Sequence, residues 1–234
     1  MEKRQPPMPG PGKVRVLLVD DHPIVRQGLS QLVGQEPDME VCGEAESASA
    51  ALKAIAALKP TVAVVDLSLK QSSGLELIKD IKVRHPDLPV LVLSMHDESF
   101  YAERALRAGA RGYMMKEEAA EKIRDGIRRV VGGEVYVSDA MASRLLSTLV
   151  SGPRPLGGSS VDLLSDRELE VFELIGRGVA TRTIAAQLHL SIKTIESHRA
   201  NIKRKLNLQS ATELMQRAMQ WVESEKKDRK PPPD

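Results

Sequence analysis

A chain of 234 residues is long for one small domain and short for three, so two domains are the natural expectation. With 41% hydrophobic and 28% charged residues it is too apolar for a wholly disordered chain, and no uninterrupted apolar run approaches the ~20 residues that span a bilayer. The formal net charge of +2 hides an uneven distribution that becomes informative in the C-terminal third.

Residues 1–13 carry charge and four prolines but no apolar stretch, so they are expected to be a disordered leader and not a signal peptide. Cys42 is the only cysteine, which excludes an internal disulfide framework and a cysteine-based zinc site and fits a reducing, cytoplasmic location. The histidines offer no H-x-x-x-H pair.

Five short apolar runs follow, at 14–19, 39–41, 61–65, 90–93 and 112–115. They are Val- and Leu-rich and nearly free of polar residues, as strands buried on both faces should be. Helical spacing fills the gaps at 23–33, 48–58, 75–84, 99–108 and 119–131, with Pro23 suited to a first helical turn. Such alternation predicts a parallel sheet covered on both faces. A further amphipathic stretch spans 138–150, with Ser138 as its cap. Residues 151–160 have the Gly, Pro and Ser content of a flexible tether. Beyond them the pattern is purely helical, at 166–176, 182–188, 192–206 and 211–223, and the charged, proline-ended stretch 224–234 is expected to be disordered.

Ligands of open parallel α/β sheets sit beyond the carboxyl ends of the strands. Here those ends carry Asp20 and Asp21, Asp66, Ser94 and Lys116. Converging carboxylates repel unless a cation neutralises them, and a few hard oxygen ligands suit Mg²⁺. A lysine and a serine hydroxyl opposite them can hold an anion. Together they describe a site where Asp66 attacks a phosphoryl group and keeps it as an acyl phosphate.

The motifs Val-Asp20-Asp21-His, Val-Val-Asp66-Leu-Ser, Gly74 eight residues after Asp66, Leu-Ser94-Met and Gly112-Tyr-Met-Met-Lys116 closely resemble a two-component response-regulator receiver domain over about 14–131. The resemblance implies Asp66 as phosphoacceptor, Asp21 and the Ser68 carbonyl as Mg²⁺ ligands beside it, and Asp20 acting through a metal-bound water. It implies that Ser94 and Lys116 bind phosphoryl oxygens and that the Tyr113 ring moves with Ser94. Ser68 and His96 stand at positions that influence phosphate lifetime in such domains. Two residues depart from the common pattern: Lys70 and Glu117 each replace a frequent proline.

In the C-terminal part, residues 162–176 hold five acids against Arg167, a net of −4, whereas 177–217 hold eight bases against Glu196 and Glu213, a net of +6. A basic stretch confined to one end of a small domain is an electrostatic footprint of nucleic acid. A short helix at 182–188, the turn His189-Leu190-Ser191 and a second helix capped by Ser191 have helix-turn-helix spacing. On a helical wheel Ile195, Ile202 and Leu206 form the core stripe with His198 on its flank. Lys193, Ser197, Ala200 and Arg204 point the opposite way, with Glu196 and Lys203 on one shoulder. That face suits a major groove, whereas Arg199 lies nearer the core.

Leu164-Ser-Asp-Arg-Glu-Leu-Glu-Val, Ile184-Ala-Ala-Gln-Leu and the run from Ser191 to Leu206 resemble a LuxR-type DNA-binding domain over about 157–222. The resemblance implies four helices and DNA contacts from Arg182, Lys193, Thr194, Glu196, Ser197, Ala200, Lys203 and Arg204. It also implies dimerisation through a last helix exposing Leu214, Met215, Ala218 and Met219. Many relatives carry lysine where Glu196 stands, and an acid there favours cytosine N4 over guanine.

The whole chain therefore resembles a NarL/FixJ-type response regulator. The expected fold is an α/β doubly wound, five-stranded parallel sheet of flavodoxin-like type, followed by a small all-α helix-turn-helix domain. The boundaries are a receiver at 14–132, an extension helix at 133–150, a linker at 151–161 and a DNA-binding domain at 157–222 with its helix-turn-helix at about 181–200. The implied cofactor is Mg²⁺. The implied partners are a sensor histidine kinase, an inverted-repeat operator in double-stranded DNA, a second copy of the chain when phosphorylated, and RNA polymerase; no membrane is involved. A haloacid-dehalogenase-like phosphotransferase is the rival enzyme, but its general acid would fall at Ser68. A regulator that only dimerises, without phosphorylation, would not need Asp21, Asp66, Ser94 and Lys116 together.

Overall fold

The computed structural model describes residues 12–69, 72–150 and 160–227. Lys70 and most of the expected leader, linker and tail lie outside the described residues. The chain divides into two units, Met1–Ser147 and Thr148–Asp234.

In the first unit the order is β1 (Val14–Val19), α1 (Pro23–Gly34), β2 (Met39–Ala45), α2 (Ala48–Leu58), β3 (Val62–Val65), β4 (Ser68–Leu69), β5 (Ser72–Ser73), α3 (Gly74–Arg84), β6 (Val90–Ser94), α4 (Glu98–Ala108), β7 (Gly112–Met115), α5 (Ala119–Val131) and α6 (Asp139–Val150). Five strands form one parallel sheet in the order β2-β1-β3-β6-β7. Residues 16–19, 62–65 and 90–93 are at most 2% exposed, which is why they read as unbroken apolar runs. On one face Leu29, Val33, Ile123, Ile127 and Val130 cover the strands.

Strand order turns back at β1, so the crevice opens beyond the carboxyl ends of β1 and β3. Register then places the polar residues. Val19 pairs with Val65, so Asp20 and Asp66 leave neighbouring strands side by side. Ser94 pairs with Met115, so Lys116 emerges next to Ser94.

Three details differ from the sequence expectation. β2 runs four residues beyond Val41 to Ala45, its register slipping between Val16 and Leu17. The antiparallel pair β4–β5 was not expected. Beyond α5 the backbone returns to the sheet: Tyr113 N–H donates to the Tyr136 carbonyl (2.7 Å) and Tyr136 N–H to the Arg111 carbonyl (3.0 Å). Gly112 makes this approach possible, since a Cβ there would lie 2.9 Å from that of Tyr136. The Ser138 cap on α6 is observed, its Oγ accepting from Met141 N–H at 3.1 Å.

The second unit is helical: α7 (Asp166–Gly176), α8 (Thr181–Gln187), α9 (Ile192–Lys205) and α10 (Ala211–Lys227). α7 opens on a capping box between Ser165 and Glu168. Gly178, His189 and Asn207 lie just past the ends of α7, α8 and α9 with positive φ, the left-handed geometry that stops a helix. The core gathers Leu169, Phe172, Ile184, Ile195, Ile202, Leu214 and Ala218. α10 continues to Lys227, four residues into the stretch expected to be a disordered tail. Among the described residues no helix is long and apolar enough to cross a membrane.

Candidate phosphoacceptor site and DNA-binding face

At the strand ends Asp20, Asp21 and Asp66 are 2–3% exposed and Ser94 is fully buried. Lys116 Nζ lies 2.6 Å from Asp20 Oδ2 and 2.7 Å from Asp66 Oδ2. One lysine against three buried carboxylates leaves the crevice negative, and Asp66 Oδ1 is buried without accepting a hydrogen bond. Burial pushes the Asp66 carboxyl above the usual carboxylate range, against the pull of Lys116 and with a further push from Asp20. Burial also works against the Lys116 ammonium, but Asp66 and Asp20 overcome it and hold it above its ordinary value. Ligand atoms of Asp20, Asp21, His22 and Asp66 all lie within 4.8 Å of one another. This donor set fits a hard divalent cation: oxygen-rich, buried, and short of positive charge.

Sequence reasoning did not single out His22. It follows the acid pair directly, its N–H donates to Asp20 Oδ1 (2.8 Å), and its Nδ1 lies 2.7 Å from Asp21 Oδ1. Gly74 is where the backbone demands glycine, because a Cβ there would fall 2.2 Å from the Asp66 carbonyl oxygen.

Around Ser94 a small network forms. Ser94 Oγ accepts from His96 N–H (3.1 Å), Ser68 Oγ and His96 Nε2 share a hydrogen bond (2.8 Å), and the Tyr113 hydroxyl donates to the His96 carbonyl (2.7 Å). The Tyr113 ring is 1% exposed, so it lies inward in this structure.

In the second unit, Arg182 is exposed on α8, and Lys193, Glu196, Ser197, Ala200 and Arg204 are exposed on α9, with Lys203 half-buried. Thr194 belongs in part to the helix cap, its N–H and Oγ1 both meeting Ser191 Oγ, at 3.0 and 2.8 Å. Arg199 turns inward and donates to Thr181 Oγ1 (3.0 Å). Burial, helped by Arg167, lowers the His198 pKa, which suits a flank of the core stripe. Ile192, half exposed beside this face, was not singled out from the sequence.

One expectation is corrected here. Leu214 and Ala218 are fully buried in the core of their own unit; of the four dimerisation candidates only Met215 (45%) and Met219 (43%) are exposed. One turn of α10 presents two faces, and α7 takes the one carrying Leu214 and Ala218. Glu168, Glu170 and Glu173 are buried and pair with Lys205, Arg167 and Arg177.

Two family models match the chain: the response regulator receiver domain over residues 16–128 and the bacterial regulatory proteins of the luxR family over residues 162–218. The oxygen regulatory protein NreC of Staphylococcus carnosus is 34% identical over 210 residues, covering 88% of this chain and 97% of that protein. Among solved structures, RcsB from Salmonella enterica serovar Typhimurium, bound to a promoter in the presence of the phosphomimetic BeF3−, has a TM-score of 0.58 at 29% identity and covers 89% and 100% of the two chains. A structure of two RcsB dimers on two parallel DNAs has a TM-score of 0.54 at 28% identity, covering 89% and 98%.

Proposed function

The chain belongs to the response regulators that join a receiver to a LuxR-type DNA-binding domain, a family of transcriptional regulators and not of enzymes, and from this we propose that Asp66 is its phosphoacceptor. The observation that carries the proposal is the Asp66–Lys116–Asp20 cluster at adjacent strand ends, with one buried Asp66 oxygen left unbonded.

The donor is a phosphohistidine of a sensor kinase. An Asp66 oxygen attacks phosphorus, a P–O bond forms, the P–N bond of the protonated phosphoimidazole breaks, and neutral imidazole leaves. Lys116, already on Asp66 Oδ2, is placed to follow the new negative charge onto the phosphoryl oxygens. Ser94 donates to another of them. Mg²⁺ held by Asp21, Asp66 and the Ser68 carbonyl, with Asp20 through a water, would supply the charge neutralisation that three acids and one lysine lack.

The output is operator DNA, bound as a dimer in the cytoplasm, where RNA polymerase is the further partner. Support comes from the basic, exposed face of α9 and from the RcsB structures, which show that protein on promoter DNA and as dimers on DNA. Receiver and output correspond to residues 14–132 and 157–222, joined by α6 and the linker.

Incubation with Mg²⁺ and acetyl phosphate should add one phosphoryl group that hydroxylamine removes, and Asp66→Asn should abolish it. Labelling that survives the substitution would overturn the assignment.

A further inference from the structure

α6 carries the chain out of the first unit, which ends at Ser147, and it is lightly held. Of its described side chains only Met141 is buried, and Leu146 is 61% exposed. A 12-residue helix with so little packing is marginal by itself, so its first turn depends on what caps it.

The Ser138 cap is held from the switch region. Glu98 opens α4, four residues after Ser94, and its carboxylate grips Ser138 with both oxygens: Oε1 accepts from Ser138 N–H (2.9 Å) and Oε2 from Ser138 Oγ–H (2.5 Å). Ser138 Oγ in turn accepts from Met141 N–H, and the Ser138 carbonyl from Ala142 N–H at 2.9 Å. The anion therefore sits where the α6 dipole favours negative charge. One turn on, Arg144 Nη1 donates to the Ser99 carbonyl (3.2 Å), a second tie to the start of α4.

The loop carrying Glu98 is pinned at its middle residue. His96 gives its N–H to Ser94 Oγ and receives the Tyr113 hydroxyl on its carbonyl. These are the two side chains that phosphorylation of Asp66 would recruit. Turning Ser94 Oγ toward a phosphoryl oxygen takes it from His96 N–H, and the Tyr113 bond to His96 is redrawn with it. Glu98 stands two residues further on, at the first position of α4, so its carboxylate lies within reach of that movement. Tyr113 N–H also bonds the Tyr136 carbonyl, so both arms of the switch touch the segment that leads into α6.

We propose that Glu98 is the positioning residue that couples the receiver to its output: it caps α6 in the unphosphorylated chain and releases it when the Ser94–Glu98 loop is redrawn. The inference rests on Asp66 being the phosphoacceptor, and it adds the route by which that event reaches the DNA-binding unit.

The test is hydrogen exchange on the full chain at the amides of Ser138, Met141 and Ala142, with and without Mg²⁺ and acetyl phosphate. It is paired with binding to a duplex selected from a random pool by the phosphorylated full chain. In the wild type, phosphorylation should speed exchange at these amides at least tenfold. Glu98→Ala should exchange fast already without phosphate and bind the duplex at least fivefold tighter than the unphosphorylated wild type, while acetyl phosphate still labels it fully. Glu98→Gln, which keeps one acceptor, should fall between. Ser138→Ala removes the hydroxyl that both caps Met141 N–H and binds Glu98, so it too should exchange fast and bind the duplex tighter without phosphate, and unchanged DNA affinity in it also overturns the coupling. Normal labelling with unchanged exchange, or unchanged DNA affinity in Glu98→Ala, overturns the coupling and leaves Asp66 standing. A wild-type chain that takes no label overturns the phosphoacceptor reading and its trigger together.

Discussion

Burial holds the Asp66 carboxyl above the usual carboxylate range, and this has a consequence for stability. A carboxyl raised in the folded state contributes stability that is complete below its unfolded value, about 3.9, and is lost as pH rises through the higher folded value. Asp66→Asn, which keeps an acceptor for Lys116 but removes a buried negative charge, should raise Tm by about 4 °C at pH 7.5 in Mg²⁺-free buffer, and the gain should vanish below about pH 4. Calorimetry across that pH range checks it; a variant equally stable or weaker at pH 7.5 contradicts it. Lys116→Ala should act in the opposite direction, costing about 3 kcal/mol at neutral pH because Asp20 and Asp66 lose their shared cation. Asp20, Asp21, Asp66, Ser94 and Lys116 were legible in the sequence because strand ends in a parallel sheet converge by topology alone. His22 and Glu98 were not, because their roles depend on side-chain direction and on a partner 40 residues away in the case of Glu98 and Ser138.

At the scale of elements, close approaches decide which substitutions the fold tolerates. α3 begins at Gly74 against the end of β3, and an added methyl would sit 2.2 Å from the Asp66 carbonyl oxygen and 2.5 Å from Leu67 Cα. Both neighbours are backbone, so Gly74→Ala must shift the Asp66 strand end or the start of α3. It should slow acetyl phosphate labelling at least tenfold with α/β content retained by circular dichroism. In the second unit, Ser165→Ala removes half of the α7 capping box and should cost about 1 kcal/mol in urea unfolding of that unit. Helix positions were legible because apolar spacing and caps such as Ser191 and Ser138 are local signals. The faces of α10 were not. Leu214 with Ala218, and Met215 with Met219, are both four-residue apolar pairs, and only packing against α7 settles which one is buried. The β4–β5 pair, two residues per strand, is too short to leave any periodicity.

For the whole molecule, the charge that sums to +2 is spent unevenly: buried pairs neutralise Glu168, Glu170 and Glu173, and the exposed bases of α9 remain available to phosphates. A single helix-turn-helix makes few contacts, whereas a dimer reads two half-sites about 34 Å apart. Phosphorylation should therefore raise the dimer population, and Met215→Ser with Met219→Ser should lower it without unfolding a unit whose core uses Leu214 and Ala218. The fragment 157–234 should bind DNA without phosphate, with affinity falling steeply as salt rises. Lys203→Ala and Arg204→Ala should each weaken binding to every sequence and flatten the plot of log K against log salt by about one, the loss of one phosphate contact. Glu196→Ala should instead leave that slope alone and change which base is preferred, since an acceptor facing the groove selects cytosine N4. Gel shifts at several salt concentrations separate the two classes. If Lys203→Ala alters base preference, or Glu196→Ala alters only the salt slope, the assignment of the α9 face is reversed.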